Sequence, residues 1–227
     1  MRLIYTAFIL LLVLTMSAQC QQTAEDWFKK AVALSIQGNY DDAIKAYDEA
    51  IRLDPNNANS WFNKGLALDN QGKINEAIKA YDEAIRLNPN LAEPWINKGL
   101  VLYNQSKYDD AIKAFDEAIR LNPKYVSAWY NKGRTLIMQG KYDDAIKAFD
   151  EAIRLNPNLA LAWFSKGLAL VKLDKYDDAI KAFDEAIRLD PTNANAWYAK
   201  GVALEALGRT SEANAAEANA KELGYTG

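Results

Sequence analysis

The stretch DDAIKAFDEAIRLNP, residues 109–123, occurs again letter for letter at 143–157, and once more at 177–191 with Asp190 before the final proline. A catalytic centre needs its groups once, so a segment written at a fixed interval is framework. The interval extends beyond these copies. The six tryptophans, Trp27, Trp61, Trp95, Trp129, Trp163 and Trp197, stand 34 residues apart. Five of the six prolines, Pro55, Pro89, Pro123, Pro157 and Pro191, keep the same step. A period of this length marks a repeat array, and residues 24–227 divide into units 24–57, 58–91, 92–125, 126–159, 160–193 and 194–227.

Two helical patterns alternate within each unit. Trp61, Gly65 and Leu68 fall at i, i+4 and i+7, one face of a first helix. Gly72 follows as a residue suited to closing it in the left-handed conformation. Ala77, Ile78, Tyr81, Ala84 and Ile85 form the stripe of a second helix, which must end before Pro89. Asp109 and Asp110 open the equivalent second helix of the third unit, where the helix dipole favours negative charge. Asp116 and Arg120 are spaced for an i, i+4 pair on its outer face. The tryptophan row and the repeated second helix are expected in a continuous core, because each unit has an apolar face that it cannot bury alone. In the sixth unit Asn214, Glu217 and Lys221 replace the Ile180, Phe183 and Ile187 of the fifth, which suits a capping unit.

Composition restricts the chemistry. The chain has 227 residues, half of them apolar, with a net charge of −3 and the two signs interleaved. No basic face is visible, which argues against nucleic acid as a partner. Histidine is absent and Cys20 is the only cysteine, so imidazole chemistry, cysteine nucleophiles in the folded body and His/Cys metal sites are all excluded. There is no P-loop and no dinucleotide-binding glycine motif. The chain is expected to have no catalytic residues, metal, cofactor or small-molecule substrate.

Residues 1–20, MRLIYTAFILLLVLTMSAQC, stand outside the register. One positive charge, Arg2, precedes a run from Leu3 to Ala18 with no charged side chain. This has the n-region and h-region of a signal peptide and is shorter than a usual membrane span. Export follows as an expectation, with two endings left open. Cleavage after Ala18-Gln19-Cys20 would release the chain; lipidation of Cys20, or retention of the segment, would attach it to a membrane.

In the fourth unit Trp129, Gly133, Leu136, Gly140, Tyr142, Ala145, Phe149, Ala152 and Pro157 follow one another in the order that resembles a tetratricopeptide repeat. The resemblance covers everything from Ala24 onward. It implies an all-α, right-handed superhelical solenoid of antiparallel helix pairs. One departure is regular: Lys30, Lys64, Lys98, Lys132, Lys166 and Lys200 stand where the family usually has leucine. A lysine stem can cover apolar surface while its ammonium reaches water.

By the same resemblance the first helices line a concave groove. Asn63, Asn97 and Asn131 share one of its positions and are a candidate peptide-gripping ladder, each amide offering a donor and an acceptor. Phe62, Tyr130 and Phe164 belong to an adjoining row, and Arg134 interrupts an otherwise apolar one. The fifth position is aromatic or Ile throughout, where family members that clamp chaperone tails use lysine; such a partner is not expected. Asn104 opens a single glycosylation sequon, relevant if the chain is exported. The expected function is a non-enzymatic scaffold holding an extended or apolar segment of another protein. The alternative is self-assembly into a structural element of the cell surface.

Overall fold

The computed structural model describes residues 22–226. The expected signal segment, with Cys20, lies outside the described residues. Twelve helices are found among them: α1 Ala24–Ile36, α2 Tyr40–Leu53, α3 Ala58–Asn70, α4 Ile74–Leu87, α5 Ala92–Asn104, α6 Tyr108–Leu121, α7 Val126–Met138, α8 Tyr142–Leu155, α9 Ala160–Val171, α10 Tyr176–Leu189, α11 Ala194–Ala206 and α12 Thr210–Glu222. The described chain is all-α, and the helices come in pairs. Two compact units are formed, the first ending at Pro89 and the second beginning at Asn90. In the first, α1 packs on α2, α2 on α3 and α3 on α4; the second continues the same order from α5 to α12.

Local chemistry sets the helix ends. Thr23 caps α1 in a reciprocal box, its hydroxyl accepting from Asp26 N at 3.2 Å while its own N donates to Asp26 at 3.0 Å. Asn57 and Asn193 cap α3 and α11 through their side-chain oxygens. The residue that reverses the chain after each first helix has positive φ in every unit. It is Gly38, Gly72, Gly140 or Gly208, but Ser106 (φ 59°) in the third unit and Asp174 (φ 56°) in the fifth. In those two a tyrosine two residues on donates to the side chain, Tyr108 to Ser106 at 3.4 Å and Tyr176 to Asp174 at 2.6 Å.

The core is built from alanines around one ring in each of the first five pairs. Tyr47, Tyr81, Phe115, Phe149 and Phe183 are at most 1 % exposed, with Ala145, Ala148 and Ala152 and their equivalents about them. Each ring from Tyr81 onward meets a glycine of its own first helix. A Cβ on Gly133 would lie 2.6 Å from Phe149 Cε1, so this position admits no side chain without overpacking. Ile180 and Phe183 share a cluster with Ala203 and Leu204 of α11 and Ala213 and Ala216 of α12.

Three expectations need correction. The tryptophans are half-buried rather than enclosed. Four indole N–H groups donate to the proline carbonyl six residues earlier, Trp61 to Pro55 at 3.2 Å, Trp129 to Pro123 at 3.0 Å, Trp163 to Pro157 at 3.0 Å and Trp197 to Pro191 at 3.1 Å, which is why the two residue types share a period. The repeated second helix is packed on one stripe only: Asp143, Asp144, Lys147, Asp150 and Arg154 all face solvent. Packing therefore explains its apolar letters and not its charged ones. Finally, Asp116 does not pair with Arg120. Arg120 turns to Glu117 at 2.8 Å, and Asp116 reaches Lys132 of the next unit at 2.6 Å. The cross-unit partner wins because Lys132 is anchored over Trp129, so less side-chain freedom is lost in bringing its ammonium to the carboxylate.

Candidate functional site

Within each compact unit the first helices present their variable positions on one face. In the first unit Phe62 lies against Tyr81, ring centroids 6.1 Å apart at 42°, and Phe28 against Tyr47 at 6.0 Å. A cleft of about 240 Å³ between α1 and α3 is lined by Val32, Ser35, Ile36, Tyr47, Asn63 and Leu66. Asn63 donates from Nδ2 to Asn59 O at 2.8 Å, which orients its amide and leaves Oδ1 and one N–H for other partners. Burial holds the Asp69 carboxyl above its ordinary range.

The second unit holds the other predicted residues. Asn97 bonds Glu93 O at 2.9 Å and Asn131 bonds Ser127 O at 2.8 Å, the same turn-back to the carbonyl four residues earlier as at Asn63. Tyr130 and Phe164 are half-buried, each 5.9 Å from the phenylalanine of its own second helix, Phe149 or Phe183. Ile96, in their row, is buried. The exposed apolar surface lies beside this row, at Met138 (51 %), Leu161 (52 %) and Leu168. Asn104 is exposed at the end of α5.

Of the predicted residues, Tyr130, Asn131 and Arg134 converge, and Tyr103 joins them. The Arg134 guanidinium lies 4.9 Å from the Tyr103 ring and 5.8 Å from the Tyr130 ring. It donates through Nη1 to Asn131 Oδ1 at 3.3 Å and through Nη2 to the Tyr103 hydroxyl at 3.4 Å. Nearby, the Tyr125 hydroxyl donates to the Glu93 carboxylate, and this bond and its charge raise the phenol above its ordinary range. Phe164 stands one helix further along, outside this cluster. In the sixth repeat the row is partly covered: Tyr225 stacks on Tyr198 at 4.2 Å and 22°. The second helix has Glu217 where a ring would stand, and the residues after α12 provide one instead.

Tyr103 was not singled out from the sequence. Its signal was a tyrosine at a variable position one unit before Arg134. Also unmarked were clefts on the second-helix side. One, of about 740 Å³, runs between Asp116, Trp129, Lys132, Lys141, Asp144 and Lys147; another, of about 580 Å³, repeats it around Trp163 and Lys166. Most of their charges are already paired, with Lys132 on Asp116, Lys147 on Asp144 and Lys175 on Asp143. Among the described residues no group of three or more carboxylates forms a metal site, and no helix is long and apolar enough to cross a membrane.

Family models described as tetratricopeptide repeat match residues 28–92, 96–160 and 148–181, and one described as TPR repeat matches 167–208. No curated protein sequence matches at a significant level. Among solved structures, one of MamA is 28% identical, covering 70% of this chain and 93% of its own, with a TM-score of 0.68. MamA 41-end from Desulfovibrio magneticus RS-1 is 25% identical over 73% of this chain and 94% of its own, TM-score 0.70. YrrB, described as a TPR protein with an unusual peptide-binding site, shares the fold at 24% identity, covering 80% and 93%, TM-score 0.71.

Proposed function

Since this chain belongs to the tetratricopeptide repeat family, whose members are protein-interaction scaffolds, we propose that it holds an extended, largely apolar segment of another protein on its first-helix face, without catalysis. One observation carries the reading. Of the nine large hydrophobic side chains that are most exposed, six stand on first helices, Ile36 in the first compact unit and Met138, Leu161, Leu168, Tyr198 and Val202 in the second, at repeat positions that fall on one side of a helix. Apolar surface gathered in this way marks an interface. The oriented amides of Asn63, Asn97 and Asn131 each retain an acceptor and a donor for a partner's main chain, with Phe62, Tyr130 and Phe164 beside them.

The proposal includes export by residues 1–20. Mass spectrometry of the mature N-terminus tests that part: a start at Gln21 means release, a lipidated Cys20 means membrane attachment, and an intact Met1 in the soluble cytoplasmic fraction overturns export. For the face itself, the full chain and its Asn63/Asn97/Asn131→Ala variant are used in parallel to capture partners from cell extract. The expected result is a protein held by the first and lost by the second, with both giving the same thermal melt. Equal capture by both moves the site off this face. Capture of the chain itself and nothing else favours self-assembly, the second reading.

A further inference from the structure

Seven arginines lie among the described residues, and six have a carboxylate. Arg52, Arg86, Arg120, Arg154 and Arg188 each reach the glutamate three residues earlier at 2.8–2.9 Å, and Arg209 reaches Glu212 at 2.6 Å. Arg134 is the exception. It projects from a first helix, in a row whose other members are Val32, Leu66, Leu100, Leu168 and Val202. Its contacts are the two tyrosine rings, the Asn131 oxygen and the Tyr103 hydroxyl. These orient the guanidinium without neutralising it, and they occupy two of its five N–H donors.

Among the described residues no carboxylate pairs with Arg134, and those of the second helices packed on α7 are engaged elsewhere. On α6 Asp109 accepts from Gln139, and Asp110, Asp116 and Glu117 pair with Lys113, Lys132 and Arg120. On α8 each carboxylate has a lysine or arginine. Helices α7 and α9 contain no acidic residue. On α5 the one carboxylate, Glu93, accepts from Tyr125. A half-buried cation gives up hydration that a single well-placed anion would restore. Two further donors belong to the same cluster: the Tyr103 O–H, whose oxygen accepts from Arg134, and the second N–H of Asn131.

We propose that Arg134, with Tyr103 and Asn131, is the receptor for one carboxylate on the bound protein segment. This rests on the first-helix reading and gives it chemistry: an apolar segment carrying one acidic group that pairs with Arg134. One cation matches one carboxylate; a phosphate would bring about twice the charge to a site with a single counter-ion.

The probes are amidated twelve-residue peptides of alanine, leucine and phenylalanine with a central glutamate or glutamine, titrated calorimetrically against the full chain. A third, the glutamine peptide with a free C-terminal carboxylate, distinguishes a chain end from a side chain as the source. The wild type is expected to hold the glutamate peptide, or the free-ended one, about 10-fold tighter than the amidated glutamine peptide. Arg134→Met abolishes that preference, and Arg134→Lys retains only part of it because the planar fork is lost. Equal binding of all three peptides by the wild type overturns the carboxylate site and leaves the first-helix reading standing. So does a preference that survives in a folded Arg134→Met chain. Binding of none overturns the first-helix reading, and this proposal with it. The wild-type comparison decides even where a variant unfolds.

Discussion

Tyr81 places a hydroxyl in the core of the second repeat with no hydrogen-bond partner among the described residues. Its equivalents Phe115, Phe149 and Phe183 fill the same slot with a ring and no polar atom. An unpaired buried hydroxyl costs about 1–3 kcal/mol, so Tyr81→Phe is expected to stabilise the protein by about 1 kcal/mol in denaturant unfolding. Burial, with the Asp69 charge close by, holds the Tyr81 phenol well above its ordinary value of 10.0. The unfolded chain therefore ionises at a pH where the folded one does not, and stability falls as pH rises through that ordinary value. Tyr81→Phe flattens the alkaline limb; if both proteins lose stability equally above pH 10, another group is responsible. Ser106 and Asp174, left-handed without being glycine, are sites of the opposite kind, where strain is offset by a bond from a neighbouring tyrosine.

The second helix is the element that the repeat copies most closely, and its charged face forms ion pairs. Lys132 rests 5.6 Å over the Trp129 ring and bonds Asp116 of the preceding second helix; Lys64, Lys166 and Lys200 do the same with Asp48, Asp150 and Asp184. The lysine that departs from the family pattern is thus a staple between neighbouring pairs. Its carboxylate partner is about half exposed, so the ion pair contributes at most about 1 kcal/mol, and the stem's packing on the indole adds a similar amount. Lys132→Ala is expected to destabilise by about 1–2 kcal/mol. Lys132→Leu keeps the packing and costs less than half of that. A double-mutant cycle with Asp116→Asn isolates the charge part; a coupling above about 2 kcal/mol would show that the pair is far less screened than its exposure indicates.

At the scale of the molecule, stability in a repeat array is a sum of neighbour contacts, and surface carboxylates tie into it through pH. Hydrogen bonds hold Asp26, Asp42, Asp144, Asp178 and Glu212 below their ordinary values: from the Thr23 backbone to the first, from lysine side chains to the next three and from Arg209 to the last. Depressed values mean that these groups contribute fully well above their ordinary values of 3.8 for the aspartates and 4.5 for Glu212, and lose their contribution as pH falls through the lower folded values. The melting temperature is expected to hold from pH 7 to about 5 and to decline below 4. Added salt weakens the same pairs and should shrink the acid decline. A melting temperature that rises on acidification would mean that Asp69, held above its range by burial, outweighs all five.

The sequence by itself determined the period, the helix pairs, the family and the residues that vary, because volume, helix geometry and turn chemistry act over a few neighbouring residues and are copied with each unit. Its resemblance to the family also implied that Asn97, Asn131, Tyr130 and Arg134 lie on one face. Only the tertiary structure decided which of these meet. Tyr103 reaches Arg134 from another helix 31 residues away, and that contact depends on how α5 and α7 lie together. The same holds for the exchange of Arg120 for Lys132 as the partner of Asp116, and for Tyr225 stacking on Tyr198. Each joins segments that are apart in the sequence, where competing partners of equal local merit are separated only by distance in space.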